Sequence, residues 1–211
     1  MGIVMIGGGK RGMKNPGSRL PTGYTELAYI ESSGTQWLDT EYAPNQDTKL
    51  VIDFYFLESN TGNDHHIASI NESGGPYYAF RTKSDLSCWY TRYGTGALTT
   101  VAANSIYGRH TLVRDQNKTS LDGGTETVST YSTFQISNTI PLCCYRAAAT
   151  GATSGFSAIR IYSCQIYDHN ILVRDFVPCV DADGNTGLYD IVNAKFHGNA
   201  GTGVFIGSEV A

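Results

Sequence analysis

The stretch SAIRIYSCQIYDHNILVRDFVPC, residues 157–179, decides the fold class of this chain because it has the pattern of β-strands. Two runs rich in the Asp, Asn and Gly of tight turns follow it, DADGNTGLYD at residues 181–190 and FHGNAGTGVF at residues 196–205. No segment sustains a 3.6-residue apolar period, so we expect any helix to be short. These features predict an all-β protein.

The composition of the whole chain agrees with that prediction. With 211 residues, it can form one large all-β domain or two small ones. Only 16% of its residues are charged, whereas 24 are Gly and 14 are Tyr, a mix that favours strands and tight turns over helices. A chain of this length can bury a sizeable core without disulfide staples.

The clearest strand outside the opening stretch covers residues 49–57. Apolar side chains alternate along it and define one face: Leu50, Ile52, Phe54 and Phe56. The opposite face, with Val51, Asp53 and Tyr55, also has enough apolar surface to be partly covered. This pattern predicts a central strand in a stack of two sheets.

Three hairpins are predicted from turn signals between strand-like runs. The first joins residues 27–31 and 36–40 through Ser-Ser-Gly-Thr, and the second joins residues 76–82 and 86–93 through Lys-Ser-Asp. The third lies within residues 108–123 and turns at Asp-Gln-Asn. In the second hairpin, alternation places one set of side chains on a single face and another set opposite it, namely Trp89, Thr91 and Tyr93 against Cys88, Tyr90 and Arg92.

Several of these runs are similar to a known family. HTLV at residues 110–113 and NKTSLDG at residues 117–123 are similar to the strand–turn–strand pattern of laminin G-like and concanavalin A-like domains. The opening run at residues 20–40, LPTGYTELAYIESSGTQWLDT, resembles the start of a module in tail and other surface proteins of gut phages and prophages. The resemblance covers about residues 20–207. It implies a concanavalin A-like jelly roll of two antiparallel sheets, assembled in the host cytoplasm and located on a virion.

The first 19 residues form a different kind of segment, which we expect to be an extended N-terminal arm before a sandwich domain at residues 20–211. The arm is rich in Gly and carries four basic residues and no acid, whereas the rest of the chain has 11 basic against 19 acidic residues. A basic arm on an acidic domain favours anchoring by one end. We expect the arm to dock on another virion protein through Ile3, Val4, Ile6, Lys10, Arg11 and Lys14; the alternative is a disordered tail.

Other features exclude several classes of protein. A net charge of −4 argues against nucleic-acid binding by bulk electrostatics. No run approaches the about 20 apolar residues of a membrane span. The apolar residues 2–6 are too few for a signal peptide, and positive charges follow rather than precede them. The five Cys lack a CxxC pair, which predicts buried, reduced thiols. The sequence leaves open whether the protein forms a homo-oligomer.

The sequence contains no recognisable catalytic or metal-binding motif. Jelly-roll glucanases place their carboxylates on one strand as Glu-x-Asp-x-Glu or Glu-x-Asp-x-x-Glu, a run that is missing here. Asp64, His65 and His66 are adjacent, and we interpret them as a solvated loop. An EF-hand loop that begins at Asp181 would need Glu where Val192 stands, so a turn is the better interpretation. We expect no catalytic residues, no metal and no cofactor, although the resemblance allows calcium at a rim.

The remaining signal is aromatic and polar. A sugar site needs an aromatic platform and a few polar groups that fix orientation. The candidates for a glycan site are Trp89, Tyr93, Tyr77, Arg81 and Asp85. The alternative is that these rings fill the core, since alternation does not decide which face of a sheet is open.

Three functions follow from these observations. We favour a non-enzymatic structural or surface protein of a phage, associated with the tail or the capsid, whose arm docks on another virion subunit and whose sandwich faces outward; binding of host glycans is left open. The second is a dedicated, lectin-like receptor-binding module. The third, a carbohydrate-active hydrolase, requires that folding brings distant carboxylates together.

Overall fold

A computed structural model describes residues 18–71, 74–147 and 150–210. These residues form eighteen β-strands and no helix. The strands are β1 (Thr25–Ser33), β2 (Leu38–Asp39), β3 (Thr48–Phe56), β4 (His66–Asn71), β5 (Tyr77–Thr82), β6 (Trp89–Gly94), β7 (Thr99–Val101), β8 (Gly108–Asp115), β9 (Lys118–Leu121), β10 (Thr127–Val128), β11 (Pro141–Leu142), β12 (Tyr145–Ala147), β13 (Thr153–Ser154), β14 (Ala158–Asp168), β15 (Ile171–Val180), β16 (Thr186–Asp190), β17 (Lys195–His197) and β18 (Ile206–Glu209).

The strands form two sheets. The larger sheet has the order β10-β9-β8-β3-β14-β1-β15-β16-β17, and β18 also pairs with β1. The smaller sheet has the order β13-β12-β4-β5-β6-β7, and β11 joins it by pairing with β2 and β4. Among these pairings only β4–β12 is parallel. The expected all-β sandwich of two essentially antiparallel sheets is therefore confirmed.

Strand β3 is the central strand that the sequence predicts. It pairs with β14 on one side and β8 on the other. Its exposure alternates with a period of two, and the face predicted to be apolar is fully buried: Leu50, Ile52, Phe54 and Phe56. Alternation of this kind buries one side of the strand between the sheets.

Aromatic rings hold the two sheets against each other. Trp89 of the smaller sheet contacts Phe54 and Phe56 of the larger sheet, with ring centres 5.6 and 5.1 Å apart in edge-to-face geometry. Phe80, next to Trp89 in the smaller sheet, stacks on it at 5.0 Å. Edge-to-face and stacked pairs stabilise a core beyond the area that they bury.

A buried arginine also connects the sheets. Arg114 of β8 is fully buried, and its Nη1 and Nη2 atoms donate to the main-chain oxygens of Ala79 and Arg92 in the smaller sheet, at 3.0 and 2.5 Å. Its guanidinium carbon lies 3.8 Å from the centre of the Tyr78 ring. Burial lowers the pKa of Arg114. The carbonyls and the ring replace the water that the charge loses.

One predicted hairpin is wrong. Residues 27–31 and 36–40 do not pair, because β1 belongs to the larger sheet and β2 to the smaller. The Gln36 side chain accepts a hydrogen bond from the Ser33 amide at 2.8 Å and stabilises a crossover between the sheets. The other two predicted hairpins are confirmed as β5–β6 and β8–β9.

The predicted arm lies almost wholly outside the described residues, including Ile3, Val4, Ile6, Lys10, Arg11 and Lys14. Its last residue, Arg19, contacts the sandwich, since its Nη1 atom lies 2.5 Å from Asp175. The next residue, Leu20, is buried in a second, smaller apolar cluster with Val177, Cys179 and Tyr189. The chain is thus attached to the larger sheet from residue 19 onward.

All five cysteines are free thiols, as expected, and all but Cys88 are buried. Burial raises the pKa of Cys179 to about 12, which keeps that thiol protonated. No helix in the described ranges is long and apolar enough to cross a bilayer.

Candidate ligand-binding site

The structure corrects the sequence-based placement of two glycan candidates, Trp89 and Tyr93. Both side chains are only 1% exposed. Trp89 lies in the centre of the core, and the Tyr93 hydroxyl donates to the main-chain oxygen of Gln46 at 2.8 Å. A buried ring has no free face on which a sugar can stack, so these residues serve the core.

The opposite face of the β5–β6 hairpin points away from the core. Tyr77, Arg81, Tyr90 and Arg92 lie on it and are half-buried. The guanidinium carbon of Arg92 lies 3.5 Å from the centre of the Tyr77 ring, and that of Arg81 lies 5.5 Å from the centre of the Tyr90 ring. This face therefore presents two arginines stacked on two tyrosines.

A depression of about 130 Å³ opens between these side chains and strand β12. We call it the outer groove; its lining residues are His66, Tyr77, Ala79, Arg81, Arg92, Leu98 and Tyr145. Leu98 is 38% exposed, so the groove has an apolar edge beside its polar and aromatic walls. Its volume is below the about 300–1,000 Å³ of pockets that enclose a whole drug-sized ligand. It can hold one unit of a longer ligand.

His66 and Tyr145 form the second wall of the outer groove. Their ring centres are 5.3 Å apart, and the Tyr145 hydroxyl donates to Asn71 Oδ1 at 2.5 Å. Burial lowers the pKa of His66 to about 3, with further contributions from Arg81 and His65, so the ring is neutral at physiological pH. Its Nδ1 atom is buried and has no hydrogen-bond partner among the described residues.

The charge of Arg92 is not neutralised within the described part of the chain. Twelve arginine and lysine residues are described, and ten of them form an ion pair with a carboxylate. Arg81 is one of those ten, since it pairs with Asp64. The two exceptions are Arg114, which is buried in the core, and Arg92, which lines the outer groove.

Of the remaining predicted candidates, Tyr77 and Arg81 line the outer groove, but Asp85 does not. Asp85 lies exposed in the β5–β6 turn, where it accepts hydrogen bonds from Lys83 Nζ at 2.7 Å and Ser87 Oγ at 2.6 Å. These donors lower the pKa of Asp85 to about 2. Its carboxylate organises the turn and points to no ligand.

A larger depression of about 710 Å³ adjoins the outer groove and shares His66 with it. The interpretation of Asp64, His65 and His66 as a solvated loop is wrong, because His65 is buried and both its ring nitrogens lie within 3.1 Å of main-chain oxygens. Glu58 is buried beside it and accepts hydrogen bonds from the amides of Ser59 and Asn60. These contacts fix the loop that leads into β4.

Two carboxylates line the larger depression, as a hydrolase would require, but both are engaged. Asp64 pairs with Arg81, and Glu58 Oε1 is held by two amides while Oε2 lies 3.5 Å from His65 Nδ1. A general acid or nucleophile needs a carboxyl oxygen that is free to reach substrate. Glu58 is buried with both oxygens in contact with the protein, and Asp64 holds one oxygen in its pair with Arg81.

The run at residues 181–185 forms a self-contained turn. Asp181 Oδ1 accepts hydrogen bonds from the amides of Asp183 and Asn185, and Oδ2 accepts one from the Asn185 side chain. No group of three or more His, Cys, Asp or Glu side chains in the described ranges is arranged to hold a metal ion. Both carboxylate oxygens of Asp181 are thus used within the turn itself.

A scan of protein-family models matches no family to this chain, and searches of curated proteins and of solved structures also find no match.

Sequence reasoning missed five of the seven residues that line the outer groove: His66, Ala79, Arg92, Leu98 and Tyr145. The alternation in β6 already placed Arg92 opposite Trp89, and that was the signal for the correct face. Tyr145 offered no such signal, since it reaches the groove through the parallel pairing of β12 with β4.

Proposed function

We propose that this chain is a non-enzymatic surface protein of a phage virion and that it binds host glycans through the outer groove. The observation that carries the proposal is the composition of that groove. Tyr77 and Tyr145 supply aromatic surface, and Arg81, Arg92 and His66 supply polar groups around it. Aromatic surface with a few convergent polar groups is what a sugar site requires.

The phage location is supported by the resemblance of residues 20–207 to modules of phage surface proteins. A two-sheet sandwich with an acidic surface suits display toward solvent. The basic residues of the arm, Lys10, Arg11 and Lys14, suit docking on another virion protein. A dedicated receptor-binding module is the second candidate, because the outer groove would serve equally well there.

A non-enzymatic role is supported by the state of the carboxylates nearest the outer groove. Asp64 is neutralised by Arg81, and Glu58 is buried in contact with amides. Neither is poised for acid–base chemistry on a glycan. A hydrolase therefore remains the weakest of the three candidates.

The glycan-binding part of the proposal is tested on an array of host-surface glycans. We expect the wild-type protein to bind a subset of them and Tyr77→Ala to lose that binding. Tyr162→Ala is the matched control, because Tyr162 also lies under an arginine, at 3.8 Å from Arg109, but on the larger sheet. Absence of binding to every glycan, or equal loss in both variants, would contradict the proposal.

The anchoring part is tested by deleting residues 1–17, which keeps the contact between Arg19 and Asp175. We expect a folded, soluble protein that no longer incorporates into phage particles. Normal incorporation of the shortened protein would show that the arm is not the anchor.

A further inference from the structure

We infer that the outer groove selects an acidic saccharide and that Arg92 binds its carboxylate or sulfate group; this inference rests on the proposed glycan-binding function. The charge of Arg92 has no counter-charge among the described residues. Arg92 lines the groove, whereas every other described cation outside the core has a carboxylate partner.

A second arginine–tyrosine stack in the same protein shows how the charge of Arg92 differs from that of a neutralised arginine. Arg109 on the larger sheet stacks on Tyr162 at 3.8 Å, much as Arg92 stacks on Tyr77 at 3.5 Å. Asp53 neutralises Arg109 through two hydrogen bonds of 2.8 and 2.7 Å. Arg92 also stacks on a tyrosine ring, but no described carboxylate binds its guanidinium. A ligand anion in the outer groove would take the place that Asp53 holds beside Arg109.

The orientation of Arg92 is already fixed for such a ligand. Its Nε atom donates to the main-chain oxygen of Gly96 at 3.0 Å, and the Tyr77 ring covers one face of the guanidinium. The two terminal nitrogens have no hydrogen-bond partner among the described residues. A planar guanidinium held in this way can donate both of them to the two oxygens of a carboxylate or sulfate.

The neighbouring groups favour an anion over a cation. Arg81 in the same groove is paired with Asp64 and His66 is a neutral ring, so the unpaired charge among the described lining residues is the positive charge of Arg92. The chain beyond residue 20 has 11 basic against 19 acidic residues, so its surface repels polyanions in general. Binding of an acidic saccharide therefore requires a local site, and the outer groove supplies one.

The size of the groove limits what enters it. About 130 Å³ is the space of roughly four water molecules in the liquid, so only one acidic unit of a glycan fits. The rest of the glycan would lie along the half-buried tyrosines of this face and the exposed Leu98. We expect the acidic unit to be terminal or to project from the chain.

The test uses the full chain and pairs of glycans that differ in one charge. Each uronic acid oligosaccharide is compared with its carboxyl-reduced form, and each sulfated one with its desulfated form, by calorimetry. We expect the acidic member of at least one pair to bind about tenfold to a hundredfold more tightly, and the two kinds of pair distinguish carboxylate from sulfate. Arg92→Gln should abolish the preference and Arg92→Lys should reduce it, because lysine keeps the charge but loses the planar fork.

Arg109→Gln is the control and should keep the full preference, and circular dichroism checks the fold of each variant. Equal binding of charged and neutral members, lost in Tyr77→Ala, would overturn the inference and leave the proposed function standing. A preference that persists in Arg92→Gln would also overturn the inference. Failure of every glycan to bind would overturn both.

Discussion

Arg92 stacks on Tyr77 at 3.5 Å on the outer face of the smaller sheet. The next tyrosine along β5, Tyr78, faces the core and carries Arg114 at 3.8 Å. These are the two described arginines without a carboxylate partner. The terminal nitrogens of Arg114 donate hydrogen bonds to main-chain oxygens in the core. The terminal nitrogens of Arg92 are free to donate hydrogen bonds to a ligand, because only its Nε atom has a partner among the described residues.

Trp89→Ala should lower the free energy of unfolding, and it should not remove a contact with the ligand. The ring fills the space between Phe54, Phe56 and Phe80, and truncation of such a ring costs about 3–5 kcal/mol of unfolding free energy. Urea unfolding measures the loss. Trp89→Phe should retain most of the stability and all of the glycan binding. A Trp89→Phe protein that is fully stable but does not bind glycans would indicate that Trp89 contacts the ligand.

Arg114→Ala should destabilise the sandwich by about 3 kcal/mol or more, because two charge-assisted hydrogen bonds and a ring contact are lost. Arg114→Met should cost less, since it fills much of the same volume without a charge to desolvate. The midpoint of urea denaturation is the measurement. Equal stability of Arg114→Ala and the wild type would mean that the inter-sheet bridge does not contribute.

Asp64→Asn should raise affinity for acidic glycans by about two- to fivefold. The change removes a negative charge beside the outer groove and releases Arg81 from its ion pair, which is worth about 0.2–1 kcal/mol at a surface. Asp85→Asn is the control, because that carboxylate lies in the turn and pairs with Lys83. Equal changes in the two variants would indicate a general charge effect instead.

Stability should fall on acidification through His66. Its pKa is lowered to about 3 in the folded protein from 6.5, so the unfolded chain takes up a proton that the folded ring does not. This contribution is nearly complete at pH 7.5 and decreases by about 1.4 kcal/mol by pH 5.5. His66→Gln should flatten the slope measured by urea unfolding at these two pH values. An unchanged slope would contradict the buried, neutral ring.

The alternation of apolar residues and the positions of turn residues were sufficient to predict the strands and hairpins in the centre of the chain. Alternation in β3 identified a buried face without error, and turn residues located the β5–β6 and β8–β9 hairpins. The prediction of a hairpin failed at residues 32–35, because the same turn residues occur in a hairpin and in a crossover between sheets. Which of the two forms depends on partners far away in sequence, here β14 for β1 and β11 for β2.

The site was only half predictable for a related reason. Alternation separated Trp89 from Arg92 but could not say which of the two faces the second sheet covers. The larger rings were the natural choice for a ligand platform, yet the same apolar surface drives them into the core. Tyr145 and His66 meet only in the folded chain, through pairing in the smaller sheet.

The most direct test of the account is a map of the glycan-binding surface by amide chemical shifts in nuclear magnetic resonance. An acidic glycan selected in the calorimetric comparison of pairs is titrated into the labelled protein. We expect the largest shifts to cluster at the outer groove, around Tyr77, Arg92 and Tyr145, and to require about a tenfold to hundredfold higher glycan concentration in Arg92→Gln. Shifts that cluster instead on the larger sheet, around Tyr162, or that saturate at the same glycan concentration in Arg92→Gln, would contradict a site at Arg92.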